Sequence, residues 1–177
     1  EFGNIYSRLG NPTVGALEAR LTALEGGAMS VALASGTSAV MYSLINIMSQ
    51  GDNFVTASQL YGGTYTMFDN ILPEYGINAK KVDITDLKAV EDSIDDKTRA
   101  VYCETVTNPG LVVADVTALS DIAHKHGIPL IVDATFTTSA IQKSFEFGAD
   151  IVVYSLTKWM SGHGRVIAGA VIEKGGF

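Results

Sequence analysis

Residues 151–164 read IVVYSLTKWMSGHG, an apolar run that breaks off at hydroxyls, a lysine, glycines and a histidine. Ile151–Val153 has the continuous apolar character of a strand buried on both faces, and a strand that stops this way ends where a ligand can sit. Lys158 is the residue of interest. An ammonium at the mouth of a buried strand loses hydration that only a partner replaces. Desolvation also favours the neutral amine, the form that attacks a carbonyl carbon to give a Schiff base. Ser155 and Thr157 flank the lysine with hydroxyls able to hold an anion. A lysine stem snorkelling along a strand-to-helix turn is the plainer alternative, and the rest of the chain must decide.

Working outward, the same pattern recurs. Ser30–Leu33 is a short apolar strand followed by Ala34-Ser35-Gly36-Thr37-Ser38 and an apolar helix to about Met48. A strand, a small-residue turn and a helix start leave backbone N–H groups free to bind an anion, although Ser-Gly-Thr is also an ordinary helix start. Asn53–Ala57 reads as a strand leading through Tyr61-Gly62-Gly63-Thr64 into a helix to about Tyr75. Ala79–Asp83, Ala100–Glu104 and Ile128–Val132 read as further strands, and Ala168–Ile172 as the last. Helices are expected over Asp86–Ile94 and Val116–His126. Ahead of all these, Thr13–Glu25 places Val14, Leu17, Leu21 and Leu24 on one helical face, stopped by Gly26-Gly27. Residues Asn4–Pro12 read as an extended arm. Strands that are nearly continuous in apolar residues, alternating with helices, predict an α/β fold with a mostly parallel sheet and helices on both faces. Ligands of such sheets bind beyond the carboxyl ends of the strands, where Ser35-Gly36-Thr37, Glu104, Asn108, Asp133 and Lys158 all fall.

Composition narrows the partners. The 177 residues carry a formal net charge of −7, which argues against nucleic acid and anionic membranes. There is no apolar segment long enough to span a bilayer. The single cysteine, Cys103, lies in an apolar run and reads as core, and one cysteine allows no internal disulfide, which suits a reducing cytoplasm. His124 and His126 sit at a helix C-terminus, where they complement its dipole, and no third ligand at suitable spacing accompanies them, so no metal is expected. The chain opens on Glu1-Phe2-Gly3, of which Glu1-Phe2 reads as a cloning scar on a fragment, and it closes directly after a strand-like run, while the pattern is still running.

Pyridoxal phosphate is the cofactor whose demands these residue types match. Its aldehyde needs an amine, its pyridine nitrogen an acid, and its phosphate N–H and hydroxyl donors. Lys158 offers the amine, Asp133 the acid, and Gly36, Thr37, Ser155 and Thr157 the donors. Tyr61, beside two glycines that let backbone approach closely, can stack on the ring.

Over essentially its whole length the chain resembles the Cys/Met-metabolism family of pyridoxal-phosphate enzymes. The resemblance rests on Tyr6-Ser7-Arg8-Leu9-Gly10-Asn11-Pro12-Thr13, Leu24-Glu25-Gly26-Gly27, Ala34-Ser35-Gly36, Tyr61-Gly62-Gly63-Thr64, Asn108-Pro109, Gly148-Ala149-Asp150 and Thr157-Lys158 with Gly162-His163-Gly164. It implies an aspartate-aminotransferase-like large domain of fold type I over 13–177, with the family's C-terminal domain missing, and an arm over 1–12 that reaches a neighbouring subunit. It further implies Lys158 as the Schiff-base lysine, Asp133 on the pyridine nitrogen and Tyr61 on the ring face with a part in proton handling. Gly36, Thr37, Ser155 and Thr157 then take the phosphate, and Asn108 lies near the cofactor's 3′-oxygen. Tyr6 and Arg8 reach the phosphate of the partner, so active sites are shared in a homodimer or homotetramer. Ser58–Tyr65 and Glu173–Phe177 look most like the branch that carries out γ-replacement on O-acetylhomoserine with sulfide or a thiol, giving homocysteine or methionine.

Ala134 departs from the family's usual asparagine, Thr138-Ser139-Ala140 from Thr-Pro-Tyr, and Arg165 from an aspartate or small polar residue. These changes bear on substrate and leave the cofactor roles in place. The competing expectations are a methionine or cystathionine γ-lyase, and a cofactor-binding fragment without turnover. A nucleotide-binding module is disfavoured by the absence of a Gly-x-Gly-x-x-Gly run or P-loop.

Overall fold

A computed structural model describes Gly3 and residues 6–176. Glu1, Phe2, Asn4, Ile5 and Phe177 lie outside the described residues, and with them the expected scar, the start of the arm and the last residue.

Seven strands form one sheet in the order β1-β7-β6-β5-β4-β2-β3, with β1 at Met29–Leu33, β2 at Asn53–Ala57, β3 at Asn78–Val82, β4 at Thr98–Glu104, β5 at Leu130–Asp133, β6 at Ile151–Ser155 and β7 at Gly169–Glu173. The pairs β2–β3, β2–β4, β4–β5 and β5–β6 are parallel, whereas β7 is antiparallel to both β1 and β6. Six strands therefore point one way and β7 alone runs against them. The expected mostly parallel sheet holds, and the reversal of β7 is the part that apolar runs do not reveal. Between them run α1 (Pro12–Glu25), α2 (Gly36–Ile45), α3 (Gly62–Thr66), α4 (Leu87–Asp92), α5 (Val116–Lys125) and α6 (Thr138–Ile141).

Local chemistry sets the boundaries. Asn11 caps α1, its Oδ1 accepting from the N–H groups of Thr13 and Val14 at 2.9 and 3.2 Å, so Pro12 is the first helical residue and not part of an extended arm. Residues 7–9 form a turn, closed by the Leu9 N–H on the Tyr6 carbonyl. The expected apolar face of α1 buries only Leu21 among its hydrophobic members; Val14, Leu17 and Leu24 are exposed, because only part of the helix lies against β1 and β7. Glu18, off that face, accepts the Ala32 N–H of the edge strand β1 at 2.8 Å, and Glu25 is buried against the Tyr154 hydroxyl. The opposite edge, β3, carries Lys80 and Lys81, paired with Asp95 and Asp69; charge there discourages pairing with another chain.

The helix expected to reach Tyr75 keeps going but changes winding, α-helical to Thr66, π-helical over Met67–Ile71 and 3₁₀ over Leu72–Tyr75. That shift presents Met67, Phe68 and Leu72 to the core, where Phe68 meets Phe54 and Tyr102 edge-on at 4.8 and 5.2 Å. Cys103 is fully buried in β4 and its thiol is pushed up to about 12, chiefly by burial, in keeping with a core residue. His124 contacts Asp150 through Nε2 at 2.8 Å, and Asp150 also accepts the Leu130 N–H at 2.8 Å, which ties α5 to the starts of β5 and β6. No helix is long and apolar enough to cross a membrane among the described residues.

One junction sets the position of α2. A Cβ at Gly36 would lie 2.4 Å from Ser155 Cβ, and one at Gly169 would lie 2.0 Å from the Ser35 carbonyl oxygen. The first turn of α2 thus sits directly on the rung where Ser155 pairs with Gly169. Gly169→Ala forces backbone apart and should lower stability by about 1–3 kcal/mol or more. Gly15→Ala, in open space inside α1, should raise it by roughly 0.5–1 kcal/mol. Urea midpoints of the two variants check both signs.

Candidate active site

Because six strands share a direction, the loops after β1, β2, β4, β5 and β6 leave the sheet at one edge. There they surround a cavity of about 660 Å³. Ser35, Gly36, Thr37, Tyr61, Asn108, Asp133, Ser155, Thr157 and Lys158 all line it. Residues drawn from five separate stretches of sequence are therefore in one place. Tyr6 and Arg8 are not among the lining residues; both are exposed, with the Arg8 guanidinium donating to the Tyr6 hydroxyl at 2.6 Å and lying 5.2 Å from the ring centroid.

At one wall stands the N-terminus of α2. Ser35 Oγ accepts the Ser38 N–H at 3.1 Å, which leaves the first-turn N–H groups of Gly36 and Thr37 without a carbonyl partner. Ser155 completes this wall. Its N–H donates to Thr135 Oγ1 at 2.7 Å, while its hydroxyl has no hydrogen-bond partner among the described residues. Thr157 turns the other way, its hydroxyl donating to the Ala168 carbonyl at 3.2 Å and accepting the Ala168 N–H at 3.1 Å. The set of free N–H donors and one free hydroxyl, held within contact distance by a missing Cβ, suits a tetrahedral anion.

Opposite lies Asp133 at the end of β5. Its Oδ1 accepts the Thr135 N–H at 2.9 Å and its Oδ2 the Tyr102 hydroxyl at 3.3 Å. Burial nevertheless holds its carboxyl above the ordinary carboxylate range, the hydrogen bonds from Thr135 and Tyr102 only partly opposing it. Beside it on the neighbouring strand is Glu104, in register with Asp133 and pushed up to about 7 by burial and by the Asp133 charge. Two acids stand at adjacent strand ends, both lining the cavity and neither paired with a cation among the described residues.

Lys158 corrects one expectation. It is three residues past the end of β6, in a turn, and it is exposed rather than desolvated. Among the described residues it forms no ion pair, so its amine is available at the cavity mouth because nothing competes for it, and the argument from burial does not apply. Tyr61 is half exposed, its ring folded back over α3 so that a Cβ at Gly63 would meet the ring edge at 2.8 Å. Asn108 is exposed on the loop after β4.

Three features escaped sequence reasoning. Thr135 links Ser155 to Asp133, Glu104 holds two loops, and Phe136, Trp159 and Ile167 give the cavity an apolar rim. The pattern Asp133-Ala134-Thr135, a hydroxyl two residues after a strand-end acid, is the local signal that was available for the first. Nothing local marks the second, since one of its two partners, Tyr61, is 43 residues away.

Comparison with known proteins agrees with this geometry. The family model described as Cys/Met metabolism PLP-dependent enzyme matches residues 1–177. An O-acetyl-L-homoserine sulfhydrylase of Leptospira meyeri is 46% identical over 177 residues, which is 100% of this chain and 40% of that protein. A solved structure from Campylobacter jejuni, named as an O-acetylhomoserine (thiol)-lyase and containing N'-pyridoxyl-lysine-5'-monophosphate, superposes with a TM-score of 0.94 at 44% identity, covering 98% of this chain and 43% of that one. The cystathionine gamma-lyase of Lactobacillus plantarum, solved with L-serine, gives 0.92 at 39% identity, covering 99% and 46%. The chain thus spans less than half the length of these relatives. With the match running from the first residue to the last, and with an amine, an acid and an anion cradle meeting at one sheet edge, the chain belongs to the Cys/Met metabolism family of PLP-dependent enzymes.

Proposed function

We propose that the cavity holds pyridoxal 5′-phosphate and that the protein carrying this chain uses it for γ-replacement on O-acetylhomoserine, with sulfide or a thiol as the incoming nucleophile. Homocysteine or methionine is the product. The observation that carries the reading is the convergence of Lys158, Asp133 and the α2 N-terminus on one cavity. The junction at Gly36 passes a test of fit, since any side chain there would fill the anion cradle.

When bound, pyridoxal phosphate supplies an aldehyde that captures amines and a ring that withdraws electrons from the carbon next to the captured nitrogen. The chain's own groups have separable tasks. Gly36 and Thr37 donate N–H groups and Ser155 its hydroxyl to the phosphate; Thr157 joins them once its hydroxyl turns from Ala168. Asp133 keeps a proton on the ring nitrogen, a task matched to an acid that lacks a cationic partner in the bare protein. Tyr61 and Asn108, both on the cavity wall, would contact the ring. Lys158 Nζ would hold the aldehyde, and its amine would take and return protons as a general base. Phe136, Trp159 and Ile167 give the cavity its apolar rim.

Tyr6 and Arg8 serve a second copy of the chain. The reading is supported by their absence from the lining of their own cavity and by their exposure, with the guanidinium held against the phenol as a preformed pair. Shared sites make the working unit a homodimer or homotetramer.

Incubating the chain with pyridoxal phosphate should give a near-visible absorption band that is lost in Lys158→Ala; an unchanged spectrum would sink the assignment. In the protein carrying this chain, O-acetylhomoserine plus sulfide should yield homocysteine. Release of a 2-oxo acid and ammonia from methionine alone would instead favour a γ-lyase. Asp133 gives a third expectation. Its folded carboxyl keeps a proton to higher pH than the unfolded one, so the stability it contributes is present at low pH and lost as pH rises. Asp133→Asn should therefore raise the urea midpoint of the bare chain at about pH 8, with the gap narrowing towards about pH 4, while weakening cofactor retention.

A further inference from the structure

Glu104 occupies the last position of β4 and is only 5% exposed. Both of its oxygens are engaged, and neither partner is near in sequence to the other. Oε1 accepts the Tyr61 N–H at 2.7 Å, and Oε2 accepts the Asn108 N–H at 3.0 Å. Tyr61 opens α3 in an extended conformation and has no side-chain cap of its own. The carboxylate from β4 fills that place at the positive end of the helix. A second contact joins the same two loops, because the Gln59 carboxamide lies where a side chain at position 110 would sit, 1.6 Å from a Cβ added there.

We propose that Glu104 is a positioning residue of this site, a carboxylate clamp that fixes the loops after β2 and β4 so that Tyr61 and Asn108 meet the cofactor at one geometry. The inference rests on the reading of the cavity as a pyridoxal-phosphate site. Removing a charge from water is costly, and a neutral side chain would fill the space without that cost. What a carboxylate adds is two acceptors fixed about one carbon, which sets the spacing of the two N–H groups. Protonation turns one oxygen into an O–H donor and a poorer acceptor, which weakens the hold on one loop.

The clamp is therefore sensitive to pH. Asp133 faces Glu104 from β5 in the same register, and Lys158 lies across the cavity after β6. Tyr102 and Cys103, in β4 itself, stay neutral because burial holds both well above their ordinary values, and Tyr61 completes the set of titratable side chains around the cavity. Burial and Asp133 push Glu104 up to about 7, so both N–H bonds are charge-assisted above that value and one is weakened below it. A cationic ring nitrogen bound at Asp133 offsets the repulsion between the acids and favours the closed clamp.

The test uses the chain with selectively ¹⁵N-labelled Tyr and Asn. In the bare wild type, the amide resonances of Tyr61 and Asn108 should move together with a midpoint near 7, and in Glu104→Gln they should stay flat. Glu104→Gln should also weaken pyridoxal-phosphate retention by roughly tenfold or more, the loss of one charge-assisted hydrogen bond. Wild-type amides that do not titrate together, or equal retention by a folded Gln variant, overturn the clamp. If the wild type itself shows no cofactor band while its amides titrate together, the site reading fails and the clamp geometry stands.

Discussion

A helix can begin within contact distance of a strand end only where side chains are missing. At Gly36 and Gly169 both sides give way, and the first turn of α2 rests on the rung formed by Ser155 and Gly169. Everything else at the site is measured from that contact. It brings unpaired N–H groups beside the hydroxyl of Ser155, and Lys158 follows three residues later on the same segment. Thr135 then carries the arrangement sideways, accepting from Ser155 and donating to Asp133. One crowded junction and one hydroxyl therefore fix the distance between an anion cradle and an acid.

The acids show the opposite economy. Glu104 and Asp133 stand side by side at strand ends, both titrating above the ordinary carboxylate range. Folding alone gives no reason for the pair, since two buried like charges oppose the compact state at neutral pH. The cost is explained by what the pair faces. A site that must hold a cation in a ring is cheaper to close when its acids are already in place, with their hydrogen bonds made before the ligand arrives.

Much of this was readable from residue order. Asn53–Ala57 is a strand with the bounds its apolar run predicts, and the polar residues that follow five strands do meet at one edge. Periodicity reports how deeply an element is buried, and punctuation reports where it stops. Neither reports neighbours. The central, reversed placement of β7 depends on which strand pairs with Gly169–Glu173, and an antiparallel partner needs no special residue. Lys158 misled for a related reason: the burial of Ile151–Tyr154 does not extend three residues past the strand, where the turn lifts the side chain into the open. The role of Glu104 was hidden because its bonds span 43 residues in one direction and four in the other, the first set by packing that no local pattern encodes. The face of α1 was legible as apolar and not as buried, because amphipathicity does not say how much of a helix the sheet will meet.

The segment bearing Lys158 leaves the sheet after Ser155 and re-enters at Gly169, and those two residues pair with each other. Thr157 and Ala168 close the gap just above them with both backbone and side-chain bonds. Departure and return at a single point make residues 158–167 one loop, tied back to the strand by the Lys158 N–H on the Ser155 carbonyl and to the core by Met160. Lys158 and the apolar rim contributed by Trp159 and Ile167 thus travel on one loop, whose two ends the rung between β6 and β7 holds in place.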